Sequence, residues 1–392
     1  MRVVLVAQFF PPETFAGANR IASIASALAA IADLTVIAPE PSYPDPAAYV
    51  GYAPLEIERR ATVRRVPPFA AQRRSWALRA AAESRLAVRL AFAAARTRAD
   101  VLVTSSPSMF LGPACFAAAR ASSARFVWDV RDLTWEYAKQ EDVVTGQAAR
   151  AALSGVSRAM WRTARAADAV ICATEGLVTA MDARIPGRDA QLVRNGVDES
   201  LLHKFDPSMP PAGERLMLLY AGLVGHAQGL EVLLDVAERD PSIDVVVAGD
   251  GPRRVELELE ARKRAIPNLA FLGYLSPDAL VGAYHRADVL FAQLRSSELH
   301  TLTAAPSKLL EYMAAGRPIV YGGEGAAARL IDEVGCGVVV TPGDGDAIIA
   351  ALSDLTPGER QTRGRRGRVY LEALPSRAAE MRRFGEIVSA LA

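Results

Sequence analysis

The chemistry-bearing residues crowd into a few short segments. Pro306-Ser307-Lys308-Leu309-Leu310-Glu311 leads into Tyr312–Ala315 and ends at Gly316-Arg317-Pro318, which reads as a helix opened by Pro and Ser and closed by Gly. Ser307 and Lys308, in the first turn, can present donors and a positive charge to a diphosphate, beside the free N–H groups that attract anions to helix starts. Glu311, one turn further on, can accept two ribose hydroxyls. A cation at a helix start opposes the dipole, so Lys308 carries a structural cost that a bound phosphate removes. The alternative is a surface lysine on an ordinary helix.

Two glycine turns accompany it. Tyr220–Leu230 (YAGLVGHAQGL) is a strand, a turn containing Gly222, Gly225, His226 and Gln228, and a helix start. Ala248–Pro252 (AGDGP) ends the next strand at Gly249 and Asp250, with Arg253 and Arg254 following. In the first half, Val3–Ala7 runs into Phe9–Glu13, and Gly17, Asn19 and Arg20 then open a helix. A lone glycine there is more often a turn residue than an anion site.

The elements that must position these residues alternate along the chain. Strands read at Val3–Ala7, Leu34–Ala38, Val101–Ser105, Phe126–Asp129, Ala169–Ala173 and Gln191–Arg194, with helices over Asn19–Ala30, Met109–Ala121 and Gln147–Ala166. The second half repeats the scheme, with strands at Leu216–Ala221, Val245–Gly249, Ala270–Gly273, Val289–Leu294, Ile319–Tyr321 and Val338–Thr341. Such alternation means βαβ units and parallel sheets. The spacing predicts an α/β chain of two Rossmann-like doubly wound domains, residues 1–197 and 215–374, joined by a Pro- and Gly-marked linker at Asp198–Glu214. Two such domains facing across a cleft would bind ligands at their strand carboxyl ends.

Gln72–Arg98 departs from the pattern. It holds seven arginines against one acidic residue, Glu83, with Trp76, Leu78, Leu86, Leu90 and Phe92 interleaved. Arg74, Arg85, Arg89 and Arg96 fall on one helical stripe, so the segment is either a helix lying on an anionic membrane surface or a solvated helix.

Composition excludes several classes. The 392 residues carry a net charge of +1, which gives no global pull toward nucleic acid or membrane. Cys115, Cys172 and Cys336 lie far apart, and no CxxC spacing suggests zinc. The histidines at 203, 226, 285 and 300 lack ligand spacing, and Asp344-Gly-Asp346 reads as a helix N-cap rather than a metal site. No cofactor or metal is expected. The short Val3–Ala7 run is no signal-peptide core, and no segment is long and apolar enough to span a bilayer. A cytoplasmic protein is expected, at most held at the inner face of the cytoplasmic membrane.

The segments GLVGHAQGLEVLL, VVVAGDGPRRVEL, FLGYL (with Tyr274) and PSKLLEYMAAGRPIV resemble the retaining glycosyltransferases of family 4, most of all their WbuB-type subgroup. FFPPETFAGANR, VRDLTWEYA around Asp132, and RNGVD at Arg194–Asp198 are similar to the same subgroup. The resemblance implies a GT-B fold, retention of configuration and no metal. It places a nucleotide-sugar, UDP-linked, on the C-terminal domain and a saccharide acceptor, polyprenyl-diphosphate-linked, on the N-terminal one. It implies catalytic roles for Lys308, Glu311 and Asp132, with Gly17, Asn19, Arg20, Arg131 and Asp132 on the acceptor side. Gly222, Gly225, His226, Gln228, Gly249, Asp250, Arg253, Tyr274, Pro306, Ser307, Lys308, Leu309 and Glu311 fall on the donor side. A final helix at about 375–392 would pack back on the first domain. Leu223, Gln228 and Thr303 stand where the family carries Arg, Lys and Glu, which passes charge neutralisation to Lys308, Arg253 or Arg254. The alternatives are a nucleotide-sugar epimerase of the same fold and a non-catalytic partner subunit.

Overall fold

The computed structural model describes residues 1–13, 16–42, 46–49, 51–52, 56–68, 76–136, 146–197, 199–205, 213, 215–295 and 308–392. They form two compact units, Met1–Gly196 with Arg377–Ala392, and Val197–Ser376. Cys115, Cys172 and Cys336 are buried free thiols.

The first unit runs β1 (Arg2–Val6), α1 (Ala16–Ala29), β2 (Asp33–Pro39), β3 (Thr62–Val66), α2 (Trp76–Ala95), β4 (Val101–Ser105), α3 (Leu111–Ala121), β5 (Arg125–Val130), α4 (Gln147–Ala166), β6 (Ala169–Cys172), α5 (Glu175–Arg184) and β7 (Gln191–Leu192). Its strands are parallel, in the order β3-β2-β1-β4-β5-β6-β7. Val3 lies beside Leu34 on one flank and Val101 on the other. Central strands covered on both faces must be apolar along their whole length, which is why RVVLV and VLVTS are buried almost throughout.

The second unit runs α6 (Glu199–Lys204), β8 (Leu216–Ala221), α7 (Glu231–Arg239), β9 (Ile243–Ala248), α8 (Arg254–Lys263), β10 (Leu269–Gly273), α9 (Pro277–Arg286), β11 (Val289–Gln293), α10 (Lys308–Ala314), β12 (Ile319–Gly322), α11 (Gly325–Val334), β13 (Gly337–Val340), α12 (Gly345–Asp354) and α13 (Pro357–Ala373). Its parallel sheet is ordered β10-β9-β8-β11-β12-β13. One core packs around Leu218, Tyr220 and Phe291, the other around Leu219, Tyr284 and Tyr312, so both faces of the sheet are covered. The order reverses at β1/β4 in the first sheet and at β8/β11 in the second, the positions where doubly wound sheets open a crevice. Asp344 Oδ1 accepts the Ala347 N–H at 2.9 Å, the cap expected of it.

The last helix, α14 (Arg377–Ser389), lies against α1. Met381, Phe384 and Val388 complete the core formed by Val3, Leu5, Ile24 and Leu28. Glu380, 4% exposed, accepts the backbone N–H of Arg194 at 3.0 Å.

Several elements depart from the sequence pattern. β3 escapes it because TVRRV is only part-buried, with Arg64 donating to Thr97. α13 buries Gly364 and Gly367 beside Leu371. A Cβ at Gly364 would stand 2.0 Å from the Gly316 carbonyl oxygen, so the helix packs through missing side chains and leaves no apolar stripe. The strand expected over Gln191–Arg194 stops at Leu192, because Arg194 turns to Glu380. The stretch expected to be a plain linker, Asp198–Glu214, contains α6 and the buried Phe205, whose ring meets Tyr284 edge-on at 5.6 Å. Residues 198, 206–212 and 214 of it lie outside the described residues, as do 72–75 of the basic segment. Among the described residues no helix is long and apolar enough to cross a membrane.

Phe384→Ala should cost about 3–5 kcal/mol through the cavity left in the first unit. Denaturant unfolding followed by tryptophan emission measures it, since all four tryptophans lie in that unit; a loss under about 1 kcal/mol would mean that α14 is not part of this core.

Candidate active site

Three strand ends of the second unit are drawn together by glycines. The Gly222 N–H donates to the Ala248 carbonyl at 2.9 Å, that of Val224 to Asp250 at 2.9 Å, and that of Gly249 to Gly273 at 2.7 Å. Gly249 has φ +134°, and a Cβ there would lie 1.8 Å from the Gly222 oxygen. No other residue fits both the angle and the approach. The turn of His226–Gly229 is held from β11: Gln293 Nε2 donates to the carbonyls of Gln228 (3.0 Å) and Gly229 (2.8 Å), and its Oε1 accepts the Gly343 N–H (2.9 Å).

Lys308 reaches this turn from α10. Its Nζ lies 2.7 Å from the Tyr220 hydroxyl and 4.1 Å from that ring's centroid, a cation–π distance. A Cβ at Gly222 would come within 2.6 Å of the same nitrogen. Burial pulls the Lys308 ammonium down to about 8, opposed by the Glu311 carboxylate. Among the described residues no carboxylate forms an ion pair with it. One turn on, Glu311 Oε2 accepts from the Tyr284 hydroxyl at 3.1 Å. The Tyr312 hydroxyl accepts the Ala221 N–H at 3.0 Å and lies 2.9 Å from the Phe291 carbonyl, tying α10 to β8 and β11.

The other sequence-predicted donor residues separate into groups. Arg253 is bound to Glu256 (2.8 Å), while Arg254 is bound to Asp250 (3.0 Å) and Glu258 (2.9 Å). Both arginines are thus neutralised by nearby carboxylates. Asp250 also accepts the Gly251 N–H at 2.7 Å, which makes it a brace of its own turn. His226 is exposed, with Nδ1 3.4 Å from Arg253. Gln228 Oε1 is buried without a hydrogen-bond partner among the described residues. Tyr274 is 69% exposed. The side chain of Leu309, a residue expected on the donor side, is 2% exposed and packs in the core beneath α10, because position 309 falls on the apolar face that holds the helix down. Thr303, Pro306 and Ser307 lie outside the described residues.

The first unit also gathers polar groups at its strand carboxyl ends. Arg20, expected on the acceptor side, is 4% exposed, bonded to Asp129 at 2.6 and 3.1 Å, to Asn195 at 3.0 Å and to the Val193 carbonyl at 3.0 Å. A buried carboxylate needs such a partner, and Asp129 takes a further bond from Ser105 at 2.7 Å. Gly17 is buried and Asn19 exposed. Arg131 and Asp132 are half-buried beyond β5. The Arg131 N–H donates to Ser106 at 2.8 Å, and Asp132 Oδ1 accepts from the hydroxyl and N–H of Thr134. Burial pushes the Asp132 carboxyl above its usual range and pulls the Arg131 guanidinium down. Trp135, stacked on Trp128 and edge-on to Trp161, anchors this segment.

Sequence reasoning missed Gln293, Asp129, Tyr284 and Tyr220 as parts of these constellations. The first two carried a signal, a polar residue at the end of an apolar run in VLFAQ and one place before the end in FVWDV. Among the described residues no group of three or more His, Cys, Asp or Glu is disposed to hold a metal ion.

Comparison with known proteins agrees with this architecture. The sequence model described as Glycosyltransferase Family 4 matches residues 17–201, and the one described as Glycosyl transferases group 1 matches 204–368. The O-antigen chain mannosyltransferase C of Escherichia coli is 32% identical over 144 residues, 36% of this chain and 37% of that one. The chain thus matches little more than a third of that relative's length. WcaI of Escherichia coli K12, named as a colanic acid biosynthesis glycosyl transferase, is 26% identical over 353 residues, 82% of this chain and 83% of that one. Among solved structures, sucrose-phosphate synthase from Thermosynechococcus elongatus superimposes with a TM-score of 0.78 at 17% identity, over 100% of this chain and 98% of the other. Anabaena Alr3699/HepE in complex with UDP-glucose does so with a TM-score of 0.67 at 14% identity, over the whole of both chains. With two α/β units in the GT-B manner and both family matches in chain order, the chain belongs to the family 4 glycosyltransferases.

Proposed function

We propose that this chain is a retaining, metal-independent transferase of the WbuB-type subgroup. It moves a hexose or N-acetylated aminosugar from a UDP-sugar to a polyprenyl-diphosphate-linked saccharide in bacterial surface polysaccharide synthesis. One observation carries the reading: a half-buried ammonium, Lys308, is held against a glycine turn with no carboxylate paired to it among the described residues, one helical turn from Glu311. A leaving diphosphate develops negative charge, and a fixed cation in a site partly closed to water stabilises that charge more strongly than it does the bound donor. Arg253 and Arg254 are already committed to carboxylates, which leaves this task to Lys308. Glu311, oriented by Tyr284, would take the ribose hydroxyls. The leaving diphosphate would accept the proton of the incoming hydroxyl on the same face, giving retention. UDP is the preferred nucleotide because Anabaena Alr3699/HepE, of like fold, was solved in complex with UDP-glucose.

The first unit would hold the acceptor near Asp132 and Arg131, with Arg20 and Asp129 as the frame beneath. A lipid-linked acceptor also explains α2. Leu78, Val88 and Phe92, between 55% and 62% exposed, share one stripe of that helix with the exposed Arg85, Arg89 and Arg96. Apolar side chains between arginines suit an anionic bilayer surface.

Lys308→Ala should lower turnover by about 10²-fold, as for the loss of one transition-state electrostatic contact, with a nearly unchanged melting temperature. Steady-state kinetics beside a melting curve measures both; near-normal turnover would move the phosphate to Arg253 or Arg254. Calorimetry with UDP should show Glu311→Ala binding about 1–3 kcal/mol more weakly. Turnover should also survive EDTA, and a requirement for added manganese would refute the metal-independent mechanism. Flotation with vesicles containing anionic lipid should recover the wild type but not a variant in which Arg85, Arg89 and Arg96 are all changed to Glu.

A further inference from the structure

We infer that Tyr220 is a positioning residue that fixes the Lys308 ammonium over the glycine turn before any nucleotide arrives. The inference rests on the reading of Lys308 as the diphosphate's cation and adds the group that places it. In β8, LMLLYA, the phenol is the one polar side chain, and Tyr220 is fully buried. A buried hydroxyl must find partners. This one donates to the Leu223 carbonyl at 2.6 Å and accepts from Lys308 Nζ at 2.7 Å. The ring face lies 4.1 Å from the same nitrogen, and the backbone of Gly222 closes the third side. A lysine stem ordinarily keeps considerable rotamer freedom. Here the ammonium is pinned by a ring, an oxygen and a turn, which is the preorganisation that electrostatic catalysis requires.

The same contacts govern the proton. The groups facing Lys308 are Tyr220 from β8 and Glu311 from its own helix, with Tyr312 and Tyr284 beyond the carboxylate. All three phenols are pushed up by burial and stay neutral. The glycine turn contributes backbone at Gly222. A hydrogen bond accepted by Tyr220 favours the charged lysine, and burial disfavours it. With its midpoint at about 8, free Lys308 loses its charge as the solution becomes mildly alkaline. A bound diphosphate raises that midpoint, so binding in this range takes up a proton.

The test is calorimetry with UDP, and GDP in parallel, from pH 7.5 to about 8.7 in buffers of different ionisation enthalpy. Over this range the phosphates of the free nucleotide no longer titrate, since the last phosphate proton leaves near pH 6, and the uracil and guanine N–H groups, which ionise only in more alkaline solution, stay protonated. Wild type should take up a growing fraction of a proton per nucleotide, and its affinity should fall by up to tenfold per pH unit above the midpoint. Tyr220→Phe keeps the ring and removes the acceptor. It should bind about tenfold more weakly at pH 7.5, the scale of one hydrogen bond to a charged group, and its alkaline fall should begin at lower pH. A purely packing role would leave that fall where it was. Tyr220→Phe with unshifted affinity and pH profile, beside a Lys308→Met that loses both, overturns the role of Tyr220 alone. Failure of both nucleotides to bind, or Lys308→Met behaving as wild type, overturns the reading of the site instead. Should Tyr220→Phe not fold, lysine Cε–H NMR of the wild type decides. The chain has four lysines, assignable by Lys308→Arg. The Lys308 signal should be shifted upfield by the ring and titrate near pH 8, and a signal at the unstructured position overturns the inference.

Discussion

The second unit depends on a single close approach. Where β8 and β9 end, the backbone at Gly249 presses so near the Gly222 carbonyl that a side-chain carbon would overlap it. Hydrogen bonds from Gly222 to Ala248 and from Val224 to Asp250 lock that contact. The result is a floor of bare peptide at the carboxyl end of the sheet. Lys308 can rest on that floor only because no side chain stands at 222. Gln293 and Tyr312 brace it from the neighbouring strand and helix, and every backbone group they touch would otherwise need water.

The first unit solves a related problem with charge. Asp129, at the end of β5, is wholly buried, and Arg20 meets it with two of its nitrogens while a third reaches Asn195. Breaking such a pair leaves an unpartnered charge in a dry interior, which is far costlier than removing both halves. The pair therefore fixes register between α1, β5 and the segment after β7. Arg131 and Asp132 project from a frame that has little freedom to shift.

The fold was legible because its strands are nearly continuous apolar runs and its glycines punctuate the strand ends. Period and punctuation are local properties, and they marked both the alternation and the glycine turns. α13 stayed hidden because it packs through Gly364 and Gly367, and a helix that buries absences has no apolar stripe to read. At the site, Lys308 and Glu311 could be picked out because helix punctuation surrounds them. Tyr220 and Tyr284 could not, since an aromatic in a buried strand or helix reads as core until its hydroxyl is seen to have a partner. Arg20 was singled out by resemblance alone, and only the fold reveals the buried Asp129 that holds its side chain inside.

The return of α14 to the first unit bears on the order in which the molecule can be made. Strands β1 to β7 leave the ribosome first, yet the core over α1 lacks Met381, Phe384 and Val388 until the whole second unit has been synthesised. A nascent chain ending at Ser376 exposes the apolar face of α1 and leaves the Arg194 backbone without Glu380. Exposed apolar surface on an unfinished domain invites association with other chains. Of the two units, the one that emerges earlier is thus the later to close, and its folding waits on the synthesis of α14.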